Sequence, residues 1–204
     1  MRLAPIVLGR SGGGVTLADK TLHDAFIDEL RDTYDAEKQL IKALPKLARA
    51  ATSAKLRAAF ESHLNQTRGQ VTRLEKAFAS LNERPRGKHC DGMAGIIKEG
   101  NSAIEEGFDD ETLDAALIAA GQRAEHYEMA AYGTLVAWAR VMGHTEAARL
   151  LQLNLNEEGD ADQKLSNLAE GGINQRAAIQ AHSGGEEDSE RSAARKSKRG
   201  SKKR

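Results

Sequence analysis

The sequence predicts an all-α protein of four long helices packed side by side, and three observations carry that prediction. Only 4% of its 204 residues are aromatic and only three are proline, while 40% are hydrophobic, with Ala and Leu dominant. That composition favours packed helices over a β-sandwich. Four stretches repeat apolar residues in alternating steps of three and four, the seam of a helix in a bundle. Finally, short links join the first stretch to the second and the third to the fourth, which makes each pair an antiparallel hairpin.

Thr21 is the expected N-cap of the first helix, which runs to about Ala51 with Phe26, Leu30, Thr33, Glu37, Leu40, Leu44, Leu47 and Ala51 on one stripe. Pro45 removes a backbone donor and is expected to kink this helix near Ile41. Ser53 caps the second helix, which runs to about Leu81 along Leu56, Phe60, His63, Thr67, Gln70, Leu74, Ala77 and Leu81. A connection of about 27 residues follows, with a short helix expected from Asp91 to Glu106. The third long helix starts near Asp110 and ends at Gly143, with Leu117, Gly121, Glu125, Glu128, Tyr132, Leu135, Trp138 and Met142 in its seam. Thr145 opens the fourth, whose seam is Ala148, Leu151, Leu155, Glu158, Asp162, Leu165 and Ala169 before Gly171 and Gly172 stop it. An up-down-up-down bundle needs no long crossover between its hairpins. One long crossover is the arrangement of ferritin-like bundles.

The expected domain spans residues 20–175, with a flexible leader over 1–19 and a disordered tail over 182–204. Cys90 stands alone, so no intramolecular disulfide forms, and a rubredoxin-type iron site or zinc ribbon lacks its thiolates. Cys90 itself reads as a small packing residue. No apolar run approaches the roughly 20 residues that span a bilayer. The apolar patch near the start is shorter than the roughly 7–15 residues of a signal peptide core. The reading is a cytoplasmic protein with no membrane partner.

A formal charge of zero excludes a uniformly basic nucleic-acid binder, yet it is a sum of unlike parts. From His182 onward there are eight basic and four acidic residues, and the remaining body carries 22 basic and 26 acidic. The basic end, Arg191 to Arg204, reads either as a solubilising tail or as a weak, salt-sensitive contact to nucleic acid.

Each seam is apolar at its ends and polar at its centre. Glu37 lies near the middle of the first helix and His63, Thr67 and Gln70 near the middle of the second. Glu125 and Glu128 centre the third, and Glu158 and Asp162 the fourth. Their spacings of three and four put each pair on one helix face. Five inward carboxylates with no Lys or Arg in the seams carry a heavy burial cost unless something positive joins them. Two divalent metal ions supply four positive charges, and an oxygen-rich set with one imidazole suits iron or manganese. Taken alone, His63 reads more often as a hydrogen-bonded core histidine than as a ligand, and protonated carboxyl groups sharing hydrogen bonds would also account for the layer.

Several runs resemble the YciE/YciF-type ferritin-like proteins, relatives of rubrerythrin. They are Leu22-His23-Asp24, Tyr34-Asp35-Ala36-Glu37-Lys38-Gln39-Leu40 and Lys42-Ala43-Leu44-Pro45-Lys46, then Ala59-Phe60-Glu61-Ser62-His63-Leu64 and Lys88-His89-Cys90. Ala124-Glu125-His126-Tyr127-Glu128 with Tyr132-Gly133-Thr134-Leu135 is the most specific. The resemblance covers about residues 20 to 170 and keeps its order through all four long helices. It implies a four-helix ferritin-like fold, a homodimer, an association with bacterial stress responses and a dinuclear metal site of poorly defined role. By matching position, Glu37, Glu125, Glu128 and Glu158 take the carboxylate roles and His63 the imidazole role. Asp162 falls near where other ferritin-like proteins place a histidine. The general template wants Glu-x-x-His on each of two helices. This chain offers His63-x-x-Gln66, and Ala161 stands at the third step after Glu158.

Three functions follow as expectations. One is a di-metal oxidoreductase acting on dioxygen or peroxide, with Glu37, His63, Glu125, Glu128, Glu158 and Asp162 around the metals, His126 beside them, and Tyr34 and Tyr132 one turn away as relays or as plain core aromatics. Another is a non-catalytic stress or binding protein with a degenerate site and a nucleic-acid-contacting tail. The third, iron sequestration, needs a hollow cage that one chain does not reveal. Whether the protein is an enzyme stays open at this level.

Overall fold

The computed structural model describes residues 19–180, so the expected leader through residue 18 and the expected tail lie outside the described residues. Among the described residues there are five α-helices and no strand: α1 (Leu22–Ala50), α2 (Ala54–Ser80), α3 (Asp91–Glu105), α4 (Asp110–Val141) and α5 (Thr145–Leu168). A π-helical turn at Ala169–Ile173 follows α5, and residues 174–180 are again helical.

The boundaries follow from local chemistry. Thr21 and Asp24 form a reciprocal capping box at the start of α1. The Leu56 amide donates to the Ser53 hydroxyl at α2, and the Thr112 amide donates to the Asp109 carboxylate at α4. α4 ends where Gly143 turns to φ +76°, a conformation that glycine adopts without strain. Gly172, at φ +126°, interrupts the helical path after α5 in the same way. α1 continues through Pro45, where the sequence predicts a kink, to Ala50. Its neighbours Leu44 and Ala48 are buried and hold the segment against the core despite the lost donor.

The pairing of side chains fixes the directions of the helices. Tyr34 on α1 reaches Glu75 and Phe78 on α2, while Arg57 reaches back to Ala51, so these two helices run antiparallel. On α4 and α5, Gln122 meets Ser166 and Arg140 meets Gln152, again antiparallel. α5 also packs on α2, and α4 on α1. The crossover helix α3 lies outside this set, against α4 and α1. It is seated by Met93, which is wholly buried, and by close contact between Gly92 and Tyr127. A Cβ at position 92 would sit 2.7 Å from the Tyr127 ring, so only glycine allows this approach.

Two apolar clusters fill the interior. One contains Phe26, Leu30, Tyr34, Leu74, Phe78, Leu135 and Leu151, and the other Leu40, Leu44, Leu56, Phe60, Met93, Leu117 and Leu165. Full burial of each large side chain contributes about 1.5–3 kcal/mol. Between the clusters lies a layer of buried polar residues: Thr33, Glu37, His63, Thr67, Gln70, Glu125, Glu128, Asn154 and Glu158. No helix of the described residues is long and apolar enough to cross a membrane.

Asp114 locks the α1–α2 turn onto α4. Its buried carboxylate accepts the Thr52 amide at 2.8 Å, the Thr52 hydroxyl at 2.8 Å and the Ser53 amide at 2.7 Å. Asp114→Asn sets an amide donor against these donors. It is expected to lower the unfolding free energy by about 2–3 kcal/mol, read by urea denaturation, without changing the content of any metal bound at the buried layer. Unchanged stability would refute this role for the carboxylate.

Candidate metal centre

Four helices converge on the polar layer. Glu37 comes from α1, His63 from α2, Glu125 and Glu128 from α4, and Glu158 from α5. Each sits mid-helix, where the three-and-four spacing turns it inward between the two apolar clusters. Glu37 and Glu158 have no exposed surface, and Glu128, Glu125 and His63 have 1%, 3% and 5%. One ligand atom from each of His63, Glu125, Glu128 and Glu158 lies within 4.8 Å of the others. His63 Nε2 is 3.4 Å from Glu125 Oε1 and 3.8 Å from Glu158 Oε2.

The donor set fits a cation. Both oxygens of Glu128, Oε2 of Glu125, Oε2 of Glu158 and Oε2 of Glu37 are buried without a hydrogen-bond partner, and so is Nδ1 of His63. Unpaired acceptors packed together repel one another, and each carries a burial cost until something positive binds them. Burial pushes the Glu125 carboxyl up to about 8. It pushes Glu37, Glu128 and Glu158 well above the usual carboxylate range, and the neighbouring carboxylates add to the effect. Burial pulls the His63 imidazole down to about 4. Without metal, the layer therefore holds protonated carboxyl groups around a neutral imidazole.

Neighbouring residues orient this set. Tyr132 donates its hydroxyl proton to Glu37 Oε1 and accepts from Asn154 Nδ2 at 2.9 Å. Asn154 in turn accepts from Arg73, which also pairs with Glu157. Gln70 donates its amide to Glu158 Oε1. Arg73 therefore supplies positive charge at the edge of the layer, where the seams alone showed none, and it draws down the Glu37 and Glu158 carboxyl groups against their burial.

The α5 seam turns by about one residue relative to the sequence expectation. Asn154 and Ala161 are buried, and Leu155 and Asp162 are not. Asp162 lies outside the group, its carboxylate accepting from Gln122 at 3.1 Å and standing 3.3 Å from His126 Nε2. Both faces of α5 satisfy three-and-four spacing, and only contact with α2 and α4 selects between them. Sequence reasoning also missed Asn154, although it sits four residues before Glu158 on the same face. Arg73 was missed because it flanks its seam.

Of the two tyrosines, Tyr132 faces Glu37, whereas Tyr34 donates to Glu75 at 2.9 Å and packs edge-on to Phe78 as a core aromatic. Cys90 is fully buried as the cap of α3, with Sγ 3.0 Å from the Tyr127 hydroxyl. Burial, then Asp32, push its thiol up to about 11, so it packs as a protonated group.

These shifts set a pH dependence for the metal-free protein. The raised carboxyl groups stabilise the fold fully below their unfolded value, about 4.3, and that contribution is lost as pH rises toward and through about 8 for Glu125. His63 acts oppositely, and its contribution falls as pH drops from about 6.5 toward about 4. Above about pH 6.5 only the carboxyl effect remains. The melting temperature of chelated protein is expected to fall between pH 6.5 and 8.5, read by circular dichroism. Glu125→Gln should flatten that slope, and a flat wild-type profile would contradict the protonated layer.

Comparison with known proteins gives the family of the chain. The family described as "Domain of unknown function (DUF892)" matches residues 21–178. "Protein YciF" of Escherichia coli (strain K12) is 47% identical over 159 residues, which is 78% of this chain and 96% of that protein. The crystal structure of the E. coli stress protein YciF has a TM-score of 0.74 at 47% identity, covering 76% of this chain and 99% of that one. YcfI, a proposed structural protein from Rhodopseudomonas palustris, has a TM-score of 0.72 at 42% identity, covering 75% and 98%. A protein from Xanthomonas campestris pv. campestris, at 20% identity and a TM-score of 0.61, shares the fold. With a match across nearly all the described residues and close similarity to YciF, the chain belongs to the DUF892 family.

Proposed function

We propose that this protein is a ferritin-like four-helix protein of bacterial stress physiology, acting in the cytoplasm as a homodimer, and that its buried layer holds two divalent ions, iron or manganese. Antiparallel α1–α2 and α4–α5 hairpins joined by a crossover carrying α3 support the ferritin-like arrangement. The stress role rests on similarity to YciF. One observation carries the metal reading: buried carboxylates of Glu125, Glu128 and Glu158, with unpartnered oxygens and from two helices, gather with the His63 imidazole from a third.

The charges balance in this assignment. Glu37, Glu125, Glu128 and Glu158 carry four negative charges when ionised, and two divalent ions carry four positive. His63, Glu125, Glu128 and Glu158 form the tightest set and would hold one ion. Glu37, kept in place by Tyr132, would complete the site for a second. Asp162 is left out of the ligand set because its carboxylate faces His126 and Gln122. Bound iron or manganese would supply redox chemistry toward dioxygen or peroxide. The chain's own part is to exclude water, fix the carboxylates and release their protons as metal enters.

A second reading is a non-catalytic stress or binding protein with a degenerate site. Gln66, standing at the third step where the general template has a histidine ligand, favours it, and so does the description of the R. palustris relative as structural. In this reading the basic tail contacts nucleic acid.

Elemental analysis of protein reconstituted with iron(II) or manganese(II) is expected to find about two ions per chain. Glu128→Ala should lose at least half of them, while Asp162→Ala keeps them. Metal near zero in the reconstituted wild type would reject the metal centre. Deleting residues 183–204 is expected to abolish retention on immobilised DNA at low salt, and equal retention without the tail would remove the nucleic-acid contact.

A further inference from the structure

Glu125 forms part of the wall of two small cavities. One, between α2 and α5, has a volume of about 20 Å³ and is lined by His63, Gln66 and Lys164 as well as Glu125. The other, between α1, α3 and α4, also has a volume of about 20 Å³, and its chemistry is different. Leu40, Leu44, Leu47, Ile96 and Ala120 line it, and Asn101 and Glu125 are its two polar residues.

Size and lining together select an occupant. A cavity needs about 10–15 Å³ to admit one water-sized sphere, so this one takes a single small molecule and no organic substrate. A buried water needs two to four polar partners, and apolar cavities accept apolar guests such as xenon; with Asn101 and Glu125 at the bare minimum for a water and ten of the twelve lining residues without a polar side chain, the wall favours an apolar guest. The wall also accounts for α3. This helix lies outside the four long ones, and it supplies Ile96, Ile97 and Gly100 to close the cavity over α1 and α4.

We propose that the α1–α3–α4 cavity is a binding site for one small apolar molecule of the size of dioxygen, held beside Glu125. Binding stands on the cavity alone. Its bearing on chemistry rests on the reading of the buried layer as a metal centre. The site would bring an apolar oxidant to the layer from the α3 side, and the polar cavity beside His63 would serve hydrated species such as peroxide.

Gly100 provides a test that preserves the fold. A methyl group there would lie 3.4 Å from the Ala120 Cβ and 3.8 Å from Leu47 Cδ2, ordinary contacts that occupy cavity space. Gly100→Ala also favours the helix in which it sits. In metal-free wild-type protein under xenon pressure, methyl NMR signals of Leu40, Leu44, Leu47 and Ile96 are expected to shift with saturation. The shifts should be lost in Gly100→Ala or in the bulkier Ala120→Leu. Absence of shifts in the wild type, or equal shifts in both variants, overturns the proposal. In iron(II)-loaded protein, the same substitutions should slow oxidation by dioxygen at least tenfold and leave oxidation by hydrogen peroxide unchanged. Equal slowing by both oxidants overturns the route. If the wild type binds no metal, the metal reading fails, and the xenon shifts still decide the cavity.

Discussion

Burial of carboxyl groups in a single layer is the constraint on which the rest of this structure depends. Glu37, Glu125, Glu128 and Glu158 sit in the low-dielectric interior with several oxygens unpartnered. Left ionised and alone, they would push the helices apart. The protein tolerates them only as protonated groups or around cations. The apolar clusters on either side of the layer must supply enough packing to offset that cost. Such a layer costs stability, and the cation site proposed for it would offset that cost.

The surroundings of the layer show how it is held ready. Tyr132 donates to one oxygen of Glu37 and Gln70 to one oxygen of Glu158, Asn154 donates to Tyr132 and accepts from Arg73, and the second oxygens of Glu37 and Glu158 are left without a partner. Arg73 is 21% exposed at the rim and paired with Glu157, so its charge reaches the layer without occupying its centre. A Lys or Arg inside the layer would have neutralised the carboxylates and filled its centre. Positioning the cation at the edge keeps the acid cluster intact and still moderates its repulsion.

The α3 crossover links the same layer to the outside. Gly92 lets Tyr127 pack against its first turn, Cys90 caps it, and Met93 anchors it in the core. Its inner face closes a cavity that ends at Glu125. The segment that a simple bundle could dispense with therefore bears on access to the buried group, and its glycines are compatible with a helix because its cap and its packing compensate for their low propensity.

Much of this was legible in the sequence. The capping residues Thr21 and Ser53, the seams of α1 and α2, and the centring of Glu37, His63, Glu125, Glu128 and Glu158 follow from spacing and cap chemistry, which are local properties of the chain. Local rules failed where two answers satisfy the same spacing. On α5, Leu155 with Asp162 and Asn154 with Ala161 fit the three-and-four pattern equally, and only the faces offered by α2 and α4 chose the second pair. The same holds for the hydrogen bonds of Tyr132, the reach of Arg73 and the cavity beside Glu125, each of which joins residues from different helices. The sequence by itself determined which helices form and which residues lie at their centres, because those depend on neighbours three or four positions away. The tertiary structure alone decided which carboxylates meet, which one turns outward and what shields them, because those depend on the rotation of one helix against another.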